Sequence, residues 1–350
     1  MSKTYVRPSG LVYGPDARRA LETGSAGLVG GHSWIAYTSA EIVERDGESL
    51  RRSFAGYRDV DAVARRRIEG LRAAFGPARF EAGPAIMGIV NVTPDSFSDG
   101  GQFASSAAAV DHGEQLAREG AIILDVGGES TRPGSDAVPE GIEVERIVPV
   151  IDGLAKRGYA VSADTRKSSV MQSAVSAGAF AINDVSALTF DPESLATIEK
   201  LQAPVVLMHA QGDPRTMQLN PRYADVALDV YDYLEARISA CVEAGIARNR
   251  ICVDPGIGFG KTFRHNLEIL QQLTLFHGLG VPVLVGASRK GFIGALTGEK
   301  QASKRAFGSA GIAVQAALNG VHILRVHDVK GTVDAVMAAK AAADPEASGL

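Results

Sequence analysis

Residues 85–101, AIMGIVNVTPDSFSDGG, decide the fold and locate the function. The stretch opens with an apolar run, 85–90, of the kind that a fully buried parallel strand needs. From Asn91 onward nearly every residue is polar, small or turn-forming, so this part of the chain does not belong in a hydrophobic core. Connections between a strand and the following helix usually take about two to six residues, and this one is longer. An ordinary connection is the alternative, but the length favours a functional loop, with Asn91 presenting the first side chain and Phe97 closing over a flat ligand.

The composition is that of a globular protein outside the nucleic-acid-binding and membrane classes. Of 350 residues, 45% are hydrophobic and 22% charged, which is typical of a folded chain. The net charge of -4 and the lack of a basic patch argue against a nucleic-acid partner. Only Cys241 and Cys252 occur, with neither CxxC spacing nor a disulfide framework, and no stretch has the length of a membrane span. We therefore expect a cytoplasmic protein in a reducing compartment, with no membrane partner.

Two Gly-Pro breaks, at 76–77 and 83–84, indicate a boundary near residue 83. We expect a small accessory extension over 1–82, a catalytic domain over 83–343 and a C-terminal tail over 344–350. The extension has no chemical motif and is short for an independent core. We expect it to dock on the outside of the catalytic domain, covering its N-terminal face, and to add stability without changing the Michaelis constants.

Within the extension the pattern predicts a short strand over 33–37, a polar run over 40–52 and a helix over 59–75. The predicted helix carries arginines that we interpret as a solvated face: Arg65, Arg66, Arg67 and Arg72.

From residue 84 onward short apolar runs alternate with longer amphipathic segments. The runs predict strands at 85–90, 121–126, 159–163, 179–182, 204–208, 250–253, 281–285 and 321–326. Eight strand–helix units of this size predict an α/β fold, the (β/α)8 TIM barrel, with an N-terminal extension. A doubly wound open sheet is the competing fold, but the count of eight and the lack of a GxGxxG turn weigh against it.

Almost every predicted strand ends in polar residues, at the barrel face where active sites form. They are Asn91, Asp125, Asp164, Asn183 with Asp184, His209, Asp254, Ser288 with Arg289 and Lys290, and Arg325 with His327 and Asp328. Asp164 or Asp184 taken alone is as readily explained by a helix cap or a structural hydrogen bond. The succession of polar endings indicates a shared site.

The residue types sort into two chemical halves. Cations follow the seventh and eighth strands, where barrels commonly bind phosphate: Arg289, Lys290, Arg325 and His327. Opposite them, the oxygens and amide of Asp164, Asn183 and Asp254 suit a flat heterocycle rich in N–H donors, and Met208 and Phe259 would pack on its faces.

This combination suggests displacement at a carbon that carries pyrophosphate. The sequence places no serine or cysteine nucleophile beside a base, and His209 and His327 lack zinc-ligand spacing. A hard cation, Mg2+, held by Asn91 and the leaving phosphates fits better.

The motifs closely resemble the dihydropteroate synthase family, in order and in strand-end placement, over about 86–339. They are NVTPDSFSDGG (91–101), DVGGESTRPGS (125–135), SADTRK (162–167), INDVSAL (182–188), LMHAQGDPRTMQ (207–218), DPGIGFGK (254–261), GASRKGFIG (286–294) and RVHDV (325–329). The resemblance implies a transferase of folate synthesis that joins 6-hydroxymethyl-7,8-dihydropterin pyrophosphate to 4-aminobenzoate.

The resemblance also implies a role for each matching residue. The pterin contacts would be Asp164, Asn183, Met208, Asp254, Phe259, Lys290 and Arg325. The pyrophosphate contacts would be Asn91, Thr131, Arg132, Arg325 and His327, with Asn91 also holding Mg2+. The aminobenzoate pocket, which sulfonamides also occupy, would be lined by Phe97, Thr131, Pro133, Ser288 and Lys290. The reaction itself would depend on Asp164, Lys290, Arg325 and His327.

The implied mechanism is dissociative: pyrophosphate leaves before the amine attacks, and Asp164 stabilises the pterin cation. The resemblance further implies a homodimer built from the last helices. Two alternatives remain open at this point. One is a pterin-binding barrel that transfers a methyl group from a reduced folate to a corrinoid partner, and the other is a non-catalytic pterin-binding paralogue. Intact ESTRPG and RVH segments argue against the first, and the two unbroken loops argue against the second.

Overall fold

The computed structural model describes residues 2–92, 101–130, 137–212 and 216–348, with side chains omitted at 101–105 and 347–348. The N-terminal segment contains β1 (Lys3–Tyr13), α1 (Gly14–Glu22), β2 (Gly27–Leu28), β3 (Ile35–Asp46), β4 (Ser49–Gly56) and α2 (Ala62–Glu69). The barrel strands are β5 (Ala85–Asn91), β6 (Ile123–Gly127), β7 (Val161–Asp164), β8 (Ala181–Asp184), β9 (Val205–Met208), β10 (Ile251–Asp254), β11 (Leu284–Val285) and β12 (Ile323–Val326). The barrel helices are α3 (Gly101–Arg118), α4 (Glu140–Ala155), α5 (Ser168–Ser176), α6 (Ser194–Leu201), α7 (Val226–Glu243), α8 (Phe263–Gln271), α9 (Gly291–Thr297), α10 (Ala306–Leu318) and α11 (Val329–Ala343).

The described part of the chain forms an eight-stranded parallel barrel, as predicted. Its strands run in the order β10-β9-β8-β7-β6-β5-β12-β11, and a parallel bridge between Val253 and Val283 joins the two ends. Strand β5 is buried along its apolar length, with only Asn91 at its end partly exposed. Strands of this type need helices on their outer side, which the intervening segments supply.

The predicted barrel elements differ from the structure mainly at their ends. Several strands begin about two residues later than predicted and extend into the polar residue that follows the apolar run, so Asp164 and Asp254 belong to strands. The predicted strand 281–285 is reduced to Leu284–Val285. Helix α9, at Gly291–Thr297, was not predicted, because its seven residues have too few turns for a clear period.

The N-terminal extension contains more strand than the sequence predicts. The strand predicted over 33–37 is the start of β3, and the polar run 40–52 continues it and turns back into β4. Strand β3 pairs with β1 on one side and with β2 and β4 on the other. The helix predicted over 59–75 covers only Ala62–Glu69.

Ion pairs attach the extension to the outside of the barrel along helix α7. Helix α7 carries acidic residues at its N-cap and along one face, spaced four, three and three residues apart. They form ion pairs with basic residues of β1, β3, β4 and α2. The pairs are Arg52–Asp225 at 2.6 Å, Arg45–Asp229 at 2.6 Å, Lys3–Asp232 at 2.5 Å and Arg67–Glu235 at 3.6 Å. Each pair is partly exposed, so the network rather than any single pair stabilises the contact.

The segment between the extension and β5 covers the N-terminal end of the barrel. Phe75, Ala78 and Phe80 are buried in one apolar cluster with inward-facing residues from the starts of the strands. Those residues come from seven of the eight strands: Ala85, Met87, Ile123, Ala181, Val206, Cys252, Leu284 and Ile323. The phenyl rings therefore separate the barrel interior from solvent at this end.

Three buried histidines lie where the extension meets the same end of the barrel. The rings of His32 and His322 stack at 5.0 Å between centroids, and His277 contacts His322 at 5.5 Å. The Nε2 atoms of His32, His277 and His322 lie within hydrogen-bond distance of backbone carbonyls of Gly320, Asn319 and Gly30, respectively. Burial lowers the pKa of all three rings, to about 4 for His32 and about 3 for His277.

At the opposite end of the chain, Asp344 is 2% exposed and accepts hydrogen bonds from Arg18, which also binds Glu346. The predicted tail thus contacts the extension. Among the described helices, none combines the length and the apolar character that crossing a membrane requires.

We predict that Phe80→Ala lowers the free energy of unfolding by about 3–5 kcal/mol, because it leaves a cavity among the strand starts. Phe54→Ala is the matched control, since Phe54 is 73% exposed, whereas Phe80 is 3% exposed. Denaturant unfolding followed by circular dichroism measures both. Equal losses for the two variants would contradict the role given to Phe80.

Candidate active site

The polar residues that end the barrel strands lie along one edge of the barrel. Parallel pairing sets Gly127, Asp164 and Asn183 side by side at the ends of β6, β7 and β8. Asp254 pairs with Met208 at the ends of β10 and β9. The register therefore brings the predicted pterin residues of these strands to the same level.

A fully buried carboxylate, Asp125, lies at the centre of this group. It accepts hydrogen bonds from Ser162 Oγ at 2.6 Å, Asn183 Nδ2 at 2.9 Å and Arg325 Nε at 2.6 Å. A buried charge is tolerated only when it is paired and hydrogen-bonded, and here three strands supply the partners. Asp125 thus orients the predicted site residues Asn183 and Arg325.

Asp164 shares the same arginine. Arg325 Nη2 donates to Asp164 Oδ2 at 2.7 Å, and the Asp164 side chain is 12% exposed. Burial raises the pKa of Asp164 to about 7, with the neighbouring Asp125 carboxylate adding to the shift and Arg325 opposing it. Burial thus favours the uncharged form of this carboxyl group, and the Arg325 guanidinium favours the charged form.

The second half of the predicted pterin slot is formed by β9, β10 and the loops after β10 and β11. Met208 is buried, and Asp254 is 5% exposed with its Oδ1 accepting the Gly256 N–H at 2.7 Å. Burial raises the pKa of Asp254 to about 6. The ammonium of Lys290 lies 3.9 Å from the centre of the Phe259 ring, a cation–π contact that orients both side chains.

Ser288 and His327 meet at the ends of β11 and β12. Ser288 Oγ accepts a hydrogen bond from the His327 main-chain N–H at 3.1 Å and lies 3.0 Å from Nδ1 of the His327 ring. When the hydroxyl donates to Nδ1, the neutral imidazole carries its proton on Nε2, where it can serve an anion.

Two residues of the polar strand endings have structural partners. Arg289, which the sequence groups with the phosphate cations, donates from its Nε to Asp328 at 2.9 Å in a two-point ion pair. Asp184 is fully buried and accepts the backbone N–H groups of Ser186 and Leu188, so it shapes a turn.

A further buried charge cluster supports the segment after β6. Glu129 accepts hydrogen bonds from Arg166 at 2.7 Å and from Lys167, which also binds Glu143 and the carbonyl of Val138. Although burial opposes it, the Lys167 ammonium holds the pKa of Glu129 below its usual range.

Four of the predicted site residues lie outside the described residues: Phe97, Thr131, Arg132 and Pro133. Asn91 is described, partly exposed at the end of β5. In the described ranges, no group of three or more histidine, cysteine, aspartate or glutamate side chains is arranged to hold a metal ion.

Comparison with known proteins shows which family has this arrangement of site residues. Residues 87–327 match the family model of the pterin binding enzymes. The dihydropteroate synthase of Neisseria meningitidis serogroup C is 47% identical over 273 residues, which are 76% of this chain and 96% of that protein.

The chain belongs to the dihydropteroate synthase family. It carries the dihydropteroate synthase function in folate synthesis.

Solved structures of the dihydropteroate synthase family agree. The Xanthomonas albilineans enzyme with 4-aminobenzoic acid is 49% identical, with a TM-score of 0.70 over 74% of this chain and 93% of that chain. The Yersinia pestis enzyme in a sulfonamide complex is 44% identical, with a TM-score of 0.71 over 74% and 94% of the two chains. A TIM barrel is thus the fold of the family, as the sequence predicted.

The sequence places Asp125 among the polar strand endings without a specific role and does not single out Ser162, yet both organise this dihydropteroate synthase site. A signal was present, because a carboxylate within the apolar strand Ile123–Gly127 needs buried partners. Its partners come from strands distant in sequence, so the pattern alone does not name them.

We predict that the affinity for free dihydropterin falls as the pH drops from 8 to 5.5. Protonation of Asp164, with its pKa of about 7, removes an acceptor for ring N–H groups, and the loss approaches about tenfold per pH unit below the pKa. Calorimetric titration should show lower affinity in Asp164→Asn and no step near pH 7, leaving only the fall near pH 6 that protonation of Asp254 causes. Asp152→Asn, on the exposed side of α4, is the control and should match the unchanged chain; a persistent step in Asp164→Asn would contradict the assignment.

Proposed function

We propose that the chain joins 6-hydroxymethyl-7,8-dihydropterin pyrophosphate to 4-aminobenzoate, giving 7,8-dihydropteroate and pyrophosphate. The observation that carries the proposal is the pairing of acceptors with cations at one barrel face. Asp164, Asn183 and Asp254 supply buried acceptor and amide groups that match a pterin edge, while Lys290 and Arg325 lie beside them. The relatives named dihydropteroate synthase and the aminobenzoate complex of the Xanthomonas albilineans enzyme support the same substrates.

The test is pyrophosphate release. With both substrates present, purified protein should form one dihydropteroate for each pyrophosphate released. Pyrophosphate release without dihydropteroate, in the presence of 4-aminobenzoate, would indicate hydrolysis instead. The absence of release, with pterin still bound, would favour a non-catalytic pterin-binding protein.

We propose that departure of the leaving group precedes attack. The bond from the methylene carbon to the pyrophosphate oxygen breaks, its electron pair goes to the pyrophosphate, and the pterin ring shares the positive charge. The Asp164 carboxylate stabilises this cation electrostatically. The amine nitrogen of 4-aminobenzoate then donates its lone pair to the methylene carbon and afterwards loses a proton to the released pyrophosphate.

Arg325 and His327 would serve the leaving group from β12 and its end. Two residues apart, both lie at the mouth of the barrel, and neither is fully buried. Although burial works against it, the carboxylates of Asp125 and Asp164 raise the pKa of Arg325, so the guanidinium keeps its charge. Ser288 orients the His327 ring through its Nδ1.

We propose Mg2+ as the cofactor, held by Asn91. An amide oxygen at a strand end fits a cation that takes most of its ligands from phosphate oxygens and water. When bound, the ion neutralises charge that develops on the leaving pyrophosphate.

We infer that 4-aminobenzoate lies beside Ser288 and Lys290, together with Phe97, Thr131 and Pro133. Sulfonamides would compete for the same pocket. The sulfonamide complex of the Yersinia pestis relative supports this inference.

We infer that two copies of the chain associate through the last helices. Phe307 of α10 is 93% exposed, Met337 of α11 is 65% exposed and Leu296 of α9 is 52% exposed. Contact with a second copy of the chain would remove these exposed apolar side chains from water. We also infer a cytoplasmic location, supported by the buried free thiols of Cys241 and Cys252, which suit a reducing compartment.

We predict that His327→Ala weakens binding of the pterin pyrophosphate about tenfold or more, because a hydrogen bond to a charged group contributes about 1.5–3 kcal/mol. Turnover should slow, while affinity for free pterin changes little. Calorimetry with both ligands measures the difference. Equal losses for free pterin and its pyrophosphate would show that His327 does not serve the phosphates.

We predict a dimer mass at micromolar concentration by light scattering, and a shift to monomer in Phe307→Glu. Phe54→Glu is the control, since Phe54 is also exposed, at 73%, but lies on the extension. A monomer mass for the unchanged chain, or dissociation by Phe54→Glu alone, would refute the proposed interface.

A further inference from the structure

The loop after β10 is packed backbone to backbone against the end of β9. Gly256 and Gly260 have φ values of +69° and +62°, in the left-handed region. A Cβ atom at Gly256 would come within 1.9 Å of the His209 carbonyl oxygen, and one at Gly260 within 2.3 Å of that of Gln211. Glycine is therefore required at both positions, and the loop has little freedom to move toward β9.

Three consecutive carbonyl groups of this loop each accept a hydrogen bond from a side chain, two of them from outside the loop and one from Lys261 at its end. Gln218 Nε2 donates to Gly258 at 2.6 Å, Lys261 Nζ to Phe259 at 3.1 Å and Tyr223 Oη to Gly260 at 2.7 Å. An irregular loop whose consecutive backbone carbonyl groups all accept hydrogen bonds is held in one conformation. We call residues 256–261 the pterin-side loop, since Phe259 lines the predicted pterin slot.

Lys261 differs from the other two donors because it is deeply buried. It is 2% exposed, whereas Gln218 is exposed and Tyr223 is half-buried. Its Nζ also lies 2.8 Å from His209 Nδ1 and donates to the His209 carbonyl at 3.3 Å. One amine thus joins the end of β9 to the pterin-side loop.

Burial of an amine is costly, so its retention at this position calls for an explanation. Among the described residues, the hydrogen-bond partners of the Lys261 amine are His209 and Phe259, and neither supplies a carboxylate. Burial lowers the pKa of Lys261 to about 7 and also lowers that of His209. A hydrophobic side chain would fill the same space without leaving charge in the interior, but it could not bind two carbonyl groups.

The groups joined by Lys261 lie directly behind the pterin residues. The His209 N–H donates to the Asp254 carbonyl at 3.0 Å, and the Phe259 ring lies under the Lys290 ammonium. Displacement of the Phe259 backbone would therefore move a side chain expected to face the pterin ring and the cation beside it.

We propose that Lys261 is a positioning residue for the pterin half of the reaction, holding Phe259 and Asp254 in register through its hydrogen bonds to the backbone of β9 and the pterin-side loop. The inference rests on the proposed pterin role of these residues. Lys261 itself does not reach the substrate, because its amine is directed at His209 and the loop carbonyls.

The test compares Lys261→Met, which keeps the stem and removes the donors, with Lys261→Gln, which keeps one donor group. The Kd for free dihydropterin and the KM for its pyrophosphate should rise about tenfold to a hundredfold in Lys261→Met, as expected when a binding group is misplaced by a remote change. Lys261→Gln should show a smaller rise. The KM for 4-aminobenzoate, measured with the pterin substrate saturating, should stay within about twofold.

Lys156→Met is the control, because Lys156 is a surface residue whose side chain is 75% exposed. Pterin affinity unchanged in Lys261→Met, with only the melting temperature lowered, would overturn the proposal, and so would equal losses for both substrates. If Lys261→Met does not fold, Lys261→Gln decides by the same criteria. Pterin binding is measured without turnover, so a chain that bound pterin but released no pyrophosphate would refute the proposed function separately.

Discussion

A negative charge shielded from solvent, on Asp125, is the constraint on which the catalytic end of the barrel depends. Ser162, Asn183 and Arg325 bind it from β7, β8 and β12, so four strands are fixed relative to one another through one carboxylate. Removing one partner of a buried ion pair leaves the other uncompensated, at a cost of about 3–5 kcal/mol. Arg325 also donates to Asp164, so the guanidinium that binds Asp125 orients Asp164 as well. The site is thus arranged by electrostatic compensation before any substrate arrives.

Much of the fold and of the site could be predicted because both follow from local pattern. Eight apolar runs predict eight buried strands, and parallel pairing alone brings the residues that end them to one face. The pairing of side chains at that face, however, depends on contacts between elements that lie far apart in the sequence. Arg289 follows β11 and Arg325 lies within β12, and the sequence groups both with the phosphate cations. In the structure Asp328 holds the first, and the site carboxylates Asp125 and Asp164 hold the second. Such partners depend on distances between elements that a single sequence does not give.

The extension was harder to predict for a different physical reason. Strand β4 is exposed along nearly its whole length, so it lacks the apolar alternation that indicates a half-buried strand. Its attachment to α7 uses charges far apart in the chain, such as Arg45 and Asp229, which are separated by 184 residues. Phe75 and Phe80 supply the apolar contact at the N-terminal end of the barrel.

The buried histidines give the two ends of the barrel opposite responses to acid. The folded chain keeps three histidines neutral: His32, His277 and His322. An unfolded chain protonates them below about pH 6.5. Each histidine therefore lowers the free energy of unfolding by up to about 1.4 kcal/mol for each pH unit below that value. At the catalytic end, Asp164 and Asp254 have raised pKa values, so the folded state takes up their protons more readily and gains stability over the same range. As the pH falls below about 6.5, the three histidines therefore lower the free energy of unfolding, while the two site carboxyl groups raise it.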